Sequence, residues 1–202
     1  MGIKNGELEV KIAICGKLRS GKNEVADTLT DYFRFTQFAF SNGIKEVGKL
    51  LFPNEFNRRE KPRQLLQRLG QKLREVHPNI WVNYTFNEMD EVGAKRIVVT
   101  DLRQPNELEA LKEDGFHIIR VNATDETRLK RSREAGDDFT LKDMQHETEL
   151  HVDSFEVDYD IDNNGTLADL DEQTLKIANE IFFREKGLQH YKKGAQNAGG
   201  QT

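Results

Sequence analysis

The chain predicts an α/β protein of three layers, with a mainly parallel five-stranded sheet covered by helices on both faces and a small lid segment. Three observations predict it. Apolar runs of strand length alternate with helical patterns, a glycine-rich turn leads from the first such run into an amphipathic helix, and a later run ends on an acid in "IVVTD" at 97–101. Strands and helices in alternation pack as parallel strands between helical layers.

The elements follow in order. "LEVKIAIC" turns from alternating to continuous apolar, as a central parallel strand does. "GKNEVADTLTDYF" then sets Val25, Leu29 and Phe33 on one helical face. "FAFS" reads as a second strand, followed by a helix through "GIKEVGKLLF" that Pro53 stops. "RREKPRQLLQRLGQKLREVHP" reads as a helix with Leu65, Leu66, Leu69 and Leu73 inward. Pro78 ends it, and "NIWVNYTFNEMDEVG" supplies the next. "KRIVVTD" is the third strand. "QPNELEALKEDG" is a helix with Pro105 in its first turn and Gly115 as its stop. "FHIIRVNA" and "VDYDIDN" are the last strands, separated by the charged helix "DETRLKRSREAG". "LADLDEQTLKIANEIFF" closes a single domain over 1–185. The end, "GLQHYKKGAQNAGGQT", shows no periodicity, so 186–202 is expected to be a flexible tail.

Bulk properties exclude several classes. A net charge of −5 and a pI of about 5.6 argue against a basic nucleic-acid coat. The single cysteine, Cys15, excludes an internal disulfide and a cysteine zinc cluster, and its apolar strand makes it a buried thiol. Neither a signal-peptide pattern nor an apolar run of membrane-spanning length is visible, so a cytoplasmic setting is expected. A homodimer is compatible with these properties.

The chemistry starts at "GKLRSGKN", 16–23. Gly16, Gly21 and Lys22 occupy the fixed positions of the phosphate-binding pattern G-x-x-x-x-G-K-[ST], with Asn23 in place of the hydroxyl residue. Backbone N–H groups of such a loop, at a helix N-terminus, form an anion site, and Lys22 can reach the β- and γ-phosphates. Asp101 falls at the carboxyl edge of the sheet, where open α/β sheets bind ligands. It could hold Mg2+ through water or take a proton from an attacking oxygen; an acid in this position otherwise caps a helix. Arg103 offers a fork for a substrate phosphate, or a salt bridge. Arg128, Arg131 and Arg133 stand between the last two strands, where a lid would be inserted, and could close over transferring charge. Gln67, Gln71 and Arg74 suit a base edge and a monophosphate, while Trp81 would stack on a base or fill core. "HETELH" at 146–151 misses the zinc spacing H-E-x-x-H by one residue. G-x-S-x-G and N-K-x-D are absent from the sequence.

Together, "GKLRSGKNEVA", "SNGIKE", "RQLLQRLGQKLREVHPNIWV", "VVTDLRQPNELEAL" and "HETELHVDSFEVDYDIDNNGTLADL" resemble the phage-type deoxynucleoside monophosphate kinases, over about 9–183. The likeness extends to the animal-type phosphomevalonate kinases. The resemblance implies the P-loop nucleoside monophosphate kinase fold and transfer of a phosphoryl group from ATP, with Mg2+, to a deoxynucleoside 5′-monophosphate. In that group the position after the loop lysine is often Asp, so Asn23 is a neutral departure at a metal-supporting position. The resemblance further implies that Gly16, Lys17, Ser20, Gly21, Lys22 and Asn23 hold the ATP phosphates, with Arg19 and Lys22 on the transferring ones. Lys45 and Arg103 would face the acceptor, with Gln67, Gln71, Arg74 and Trp81 along its pocket within helices over about 42–93. Asp101 and Asn23 would lie near Mg2+. Arg128, Arg131 and Arg133 would belong to a lid over about 125–145, with Arg131 joining Arg19, Lys22 and Asp101 as catalytic. Other readings are a phosphomevalonate-like kinase and a nucleotide sensor without catalysis.

Overall fold

A computed structural model describes residues 8–57, 62–136 and 151–198. Five strands, β1 (Val10–Cys15), β2 (Thr36–Phe38), β3 (Arg96–Leu102), β4 (His117–Asn122) and β5 (Tyr159–Asp162), form one sheet in the order β2-β3-β1-β4-β5. Every pairing is parallel. Among the described residues the α-helices are α1 (Lys22–Phe33), α2 (Phe40–Leu51), α3 (Pro53–Phe56), α4 (Arg63–Val76), α5 (Ile80–Val92), α6 (Pro105–Glu113), α7 (Asp125–Glu134) and α8 (Leu167–Ala198).

Alternation along β1 divides the core. Ala13 and Cys15 face one layer with Phe40, Trp81, Met89, Leu111 and Phe116 of α2, α5, α6 and the β4 approach. Ile12 and Ile14 face the other with Val25 and Leu29 of α1 and Leu170, Ala178 and Ile181 of α8. A strand buried on both faces must be apolar at successive positions, which explains the continuous run ending at Cys15.

The β1–β3 register runs from Ala13 opposite Val99 to Cys15 opposite Leu102, so β3 carries an extra residue near Thr100 and Asp101. Such a bulge re-aims a side chain at a strand end. Here it sets Asp101 at the carboxyl edge, directed toward the start of α2.

Three boundaries differ from the sequence reading. "FAFS" is not a strand: β2 ends at Phe38, and Phe40 and Ser41 begin α2, because Asp101 accepts their backbone N–H groups. Pro53 opens α3 two residues after α2 ends, since its missing N–H costs nothing in a first helical turn. α8 continues to Ala198, so most of the expected tail is helix. Among the described residues, none of the helices is long and apolar enough to cross a membrane.

Candidate active site

The loop between β1 and α1 is shaped by close approaches. Gly16 has φ +148°, and a Cβ there would come within 2.5 Å of the Val121 carbonyl oxygen. Gly21 has φ +102°, and a Cβ there would lie 2.0 Å from the Asn163 amide nitrogen. Arg19 holds φ +63° without being glycine. Lys22 is buried, and its Nζ donates to the carbonyls of Gly16 and Lys17, each at 2.8 Å.

This loop forms one wall of a cavity of about 1360 Å³ at the carboxyl edge of the sheet. Arg19, Gly21, Lys22 and Asn23 line that wall. Asp101, Arg103 and Glu107 line the strand edge, Lys45 comes from α2, and Gln67, Gln71 and Arg74 come from α4. The cavity thus brings together nine of the side chains expected on sequence grounds, from four separate stretches of chain.

Asp101 has a structural partner set. Its Oδ1 accepts the Phe40 N–H at 2.8 Å and its Oδ2 the Ser41 N–H at 3.0 Å. These are orphan donors of α2, whose N-cap Ala39 has no side chain to offer them. Asp101 therefore ties the acid-bearing strand to α2.

Other expected residues lie elsewhere. Trp81 is core, 2% exposed, with its indole N–H donating to the Gly70 carbonyl at 3.1 Å. It does not line the cavity, and its anchoring of α4 to α5 accounts for its burial. Lys17 pairs with Asp153 at 2.7 Å. Ser20 is fully enclosed, and its N–H closes a turn onto the Lys17 carbonyl. None of Arg128, Arg131 and Arg133 lines the cavity. Arg128, 1% exposed, donates from Nε to the Leu18 carbonyl at 2.7 Å. Arg131 reaches the Ser20 carbonyl at 3.4 Å and the backbone oxygen of Asn163 at 3.0 Å. Arg133 is exposed. The spacing of three residues puts Arg128 and Arg131 on one face of α7, and that face meets the outside of the loop, so neither arginine reaches over the cavity here. Residues 137–145 of the expected lid, and 146–150 of "HETELH" with Glu147, lie outside the described residues.

The most informative residue not singled out from sequence is Glu107, 2% exposed on the cavity edge. Its Oε2 accepts the N–H groups of Arg103 and Gln104, each at 3.0 Å, and its Oε1 accepts Arg74 Nη2 at 3.1 Å. Burial, then the Asp101 carboxylate, pushes its carboxyl up to about 7, against the pull of those donors. The Q-x-x-E spacing of a capping box was the available signal. His151 also lines the cavity. Cys15, pushed up to about 12 chiefly by burial, is an inert core thiol.

Residues 50–174 match the deoxynucleotide monophosphate kinase family. The chain belongs to that family. The match starts after the glycine loop and Lys45, and it spans α4, the β3 edge with Asp101 and Arg103, and the arginine helix α7. Solved structures, kinases among them, share the fold of this family member. TT1252 from Thermus thermophilus is 21% identical with a TM-score of 0.55, over 86% of this chain and 98% of that one. Shikimate kinase from Acinetobacter baumannii, in complex with shikimate, is 18% identical with a TM-score of 0.55, over 88% and 96%. Dephospho-CoA kinase from Campylobacter jejuni is 14% identical with a TM-score of 0.50, over 86% and 98%. Curated protein sequences include no match to the chain. This deoxynucleotide monophosphate kinase family member is thus a kinase of the P-loop fold, with its polar cavity at the edge where such sheets bind ligands.

Proposed function

We propose that the chain transfers the γ-phosphoryl group of ATP to a deoxynucleoside 5′-monophosphate, giving ADP and the deoxynucleoside diphosphate. One observation carries the reading: a single cavity lies between the glycine loop and a wall bearing Arg74, Arg103, Gln67 and Gln71. The loop side suits the donor phosphates, and the guanidinium groups suit the acceptor phosphate. Gln67 and Gln71 each carry a donor and an acceptor, as a base edge requires.

In the transfer, an acceptor phosphate oxygen forms the bond to the γ-phosphorus as the bond to the β–γ bridging oxygen breaks and ADP departs. The acceptor is already an anion, so the site needs orientation and charge neutralisation more than a strong base. Lys22 would leave the Gly16 and Lys17 carbonyls for the phosphates, while Arg19 balances charge beside it. Lys45 and Arg103 would hold the acceptor.

Mg2+ fits the donor set. Asn23 lines the cavity in the first turn of α1, and each Asp101 oxygen, accepting one N–H, keeps a lone pair for a metal-held water. Among the described residues no group of three or more His, Cys, Asp or Glu side chains could hold a metal ion. Mg2+ ordinarily completes its shell with substrate phosphates and water. Bound there, it would neutralise phosphate charge.

The test is ADP release in a coupled assay across deoxynucleoside and ribonucleoside monophosphates and phosphomevalonate, with Lys22→Ala as control. Turnover confined to phosphomevalonate would defeat the acceptor assignment, and ATP binding without turnover on any acceptor would defeat the enzymatic one.

A further inference from the structure

The outer surface of the glycine loop is held by side chains from two distant segments. The Leu18 carbonyl accepts Arg128 Nε at 2.7 Å. The Ser20 carbonyl accepts Asn163 Nδ2 at 2.7 Å and Arg131 Nη1 at 3.4 Å. Arg128 and Asn163 are 1% and 4% exposed, and a charged or amide side chain so enclosed needs fixed partners. Asn163 is itself fastened: its N–H donates to the Asn122 carbonyl at 2.8 Å, and its side-chain oxygen accepts Arg131 Nη2 at 3.1 Å. Gly21 has no room for a side chain because this amide fills it.

Backbone geometry turns these contacts into a functional statement. The described chain contains no cis peptide bond, and in a planar trans peptide the carbonyl and the following N–H point in opposite directions. Fixing the Leu18 carbonyl outward directs the Arg19 N–H inward, and fixing the Ser20 carbonyl does the same for the Gly21 N–H. Arg19 and Gly21 both line the cavity. The left-handed backbone of Arg19 persists only where its surroundings over-determine it, and the buried guanidinium on the preceding carbonyl is such a constraint.

We infer that Arg128 and Asn163 are positioning residues that grip the outer carbonyls of the loop so that the N–H groups of Arg19 and Gly21 face the donor phosphates. This rests on the loop being the donor-phosphate cradle. It gives the arginine helix work outside the cavity and gives the Asn163 segment a part in donor binding.

The experiment measures ADP binding to the full chain by calorimetry, without acceptor, and then donor and acceptor KM separately. Asn163→Asp keeps the size of the side chain and an oxygen for Arg131 but cannot donate to the Ser20 carbonyl. Arg128→Lys keeps the charge but loses the fork. Either variant is expected to weaken ADP binding by about tenfold or more, the size of one lost buried hydrogen bond, and to raise donor KM. Acceptor KM should stay within about twofold, too small a change for a lost hydrogen bond. Met89→Ala, a core truncation on the opposite sheet face, should lower stability with ADP affinity intact. Wild-type ADP affinity in both loop variants overturns the inference, as does an acceptor KM that rises as much as the donor KM. Failure of the wild-type chain to bind ADP would instead remove the cradle assignment, and the inference with it.

Discussion

Glu107 and Arg74 join two walls of the cavity through one carboxylate. Arg74 Nη2 donates to Oε1 at 3.1 Å, while Oε2 takes the N–H groups of Arg103 and Gln104. α4 needs this tie, because its leucines are only half-buried and Gly70 is its one buried residue. The pair therefore sets where α4 stands relative to Arg103. Glu107→Ala should raise acceptor KM by about tenfold, since it frees Arg74 and uncaps α6, and should change donor KM little. Steady-state kinetics with each substrate varied in turn checks this.

The same carboxylate predicts a pH dependence of stability. Its carboxyl is raised to about 7 in the fold, above its ordinary 4.5. The folded state then binds the proton more tightly than the unfolded state. The contribution is fully present below about pH 4.5 and is lost as pH rises through 7, by up to about 3 kcal/mol. Denaturant unfolding of the wild type and Glu107→Gln at several pH values between 5 and 8.5 should show the wild type losing more stability with rising pH. Parallel curves would mean that Glu107 is already ionised at pH 5.

Asp101 caps α2 and lines the cavity, and two variants separate a structural contribution from a chemical one. Asp101→Ala should cost about 1–2 kcal/mol through the lost cap on Phe40 and Ser41. Asp101→Asn keeps an acceptor oxygen and should cost roughly half as much. If the carboxylate also supports a metal-held water, Asp101→Asn should lower kcat far more than its stability loss explains. Thermal unfolding alongside kcat at saturating Mg2+ makes the comparison.

These relationships explain why some of the site was legible in the sequence and some was not. Lys22 and Asp101 could be found because the first follows the apolar β1 at the offset of the loop pattern and the second ends the apolar run of β3, so local order determines position. Glu107 resembled one more surface acid of a charged helix, and only the fold brings Arg74 to it. Arg128 and Arg131 were legible as a cluster but not in direction, because facing the cavity or the back of the loop requires the same residue types. Trp81 offered two readings that burial alone decides.

The loop lysine yields the largest expected loss. Lys22 holds the Gly16 and Lys17 carbonyls of the loop, each at 2.8 Å. Lys22→Ala should reduce kcat by about 10²–10³ or more, as loss of a transition-state donor does. ADP release under donor and acceptor saturation measures this, and near wild-type turnover would move the phosphate charge balance to Arg19.

Asn23 poses the sharpest question for the metal. It follows Lys22 as the second residue of α1, where the phosphate-loop pattern has a hydroxyl. An amide oxygen can ligate Mg2+ or hold its water, but it adds no negative charge. Asn23→Asp should therefore lower the Mg2+ concentration for half-maximal activity, by about three- to tenfold for one added charge near a partly exposed site. Asn23→Thr should restore the hydroxyl pattern with a smaller change of the same sign. Titrating Mg2+ at fixed ATP over the three proteins measures the shift. Identical Mg2+ curves would mean that Asp101 and the substrate phosphates hold the ion without help from position 23, and the departure from the pattern would then be neutral.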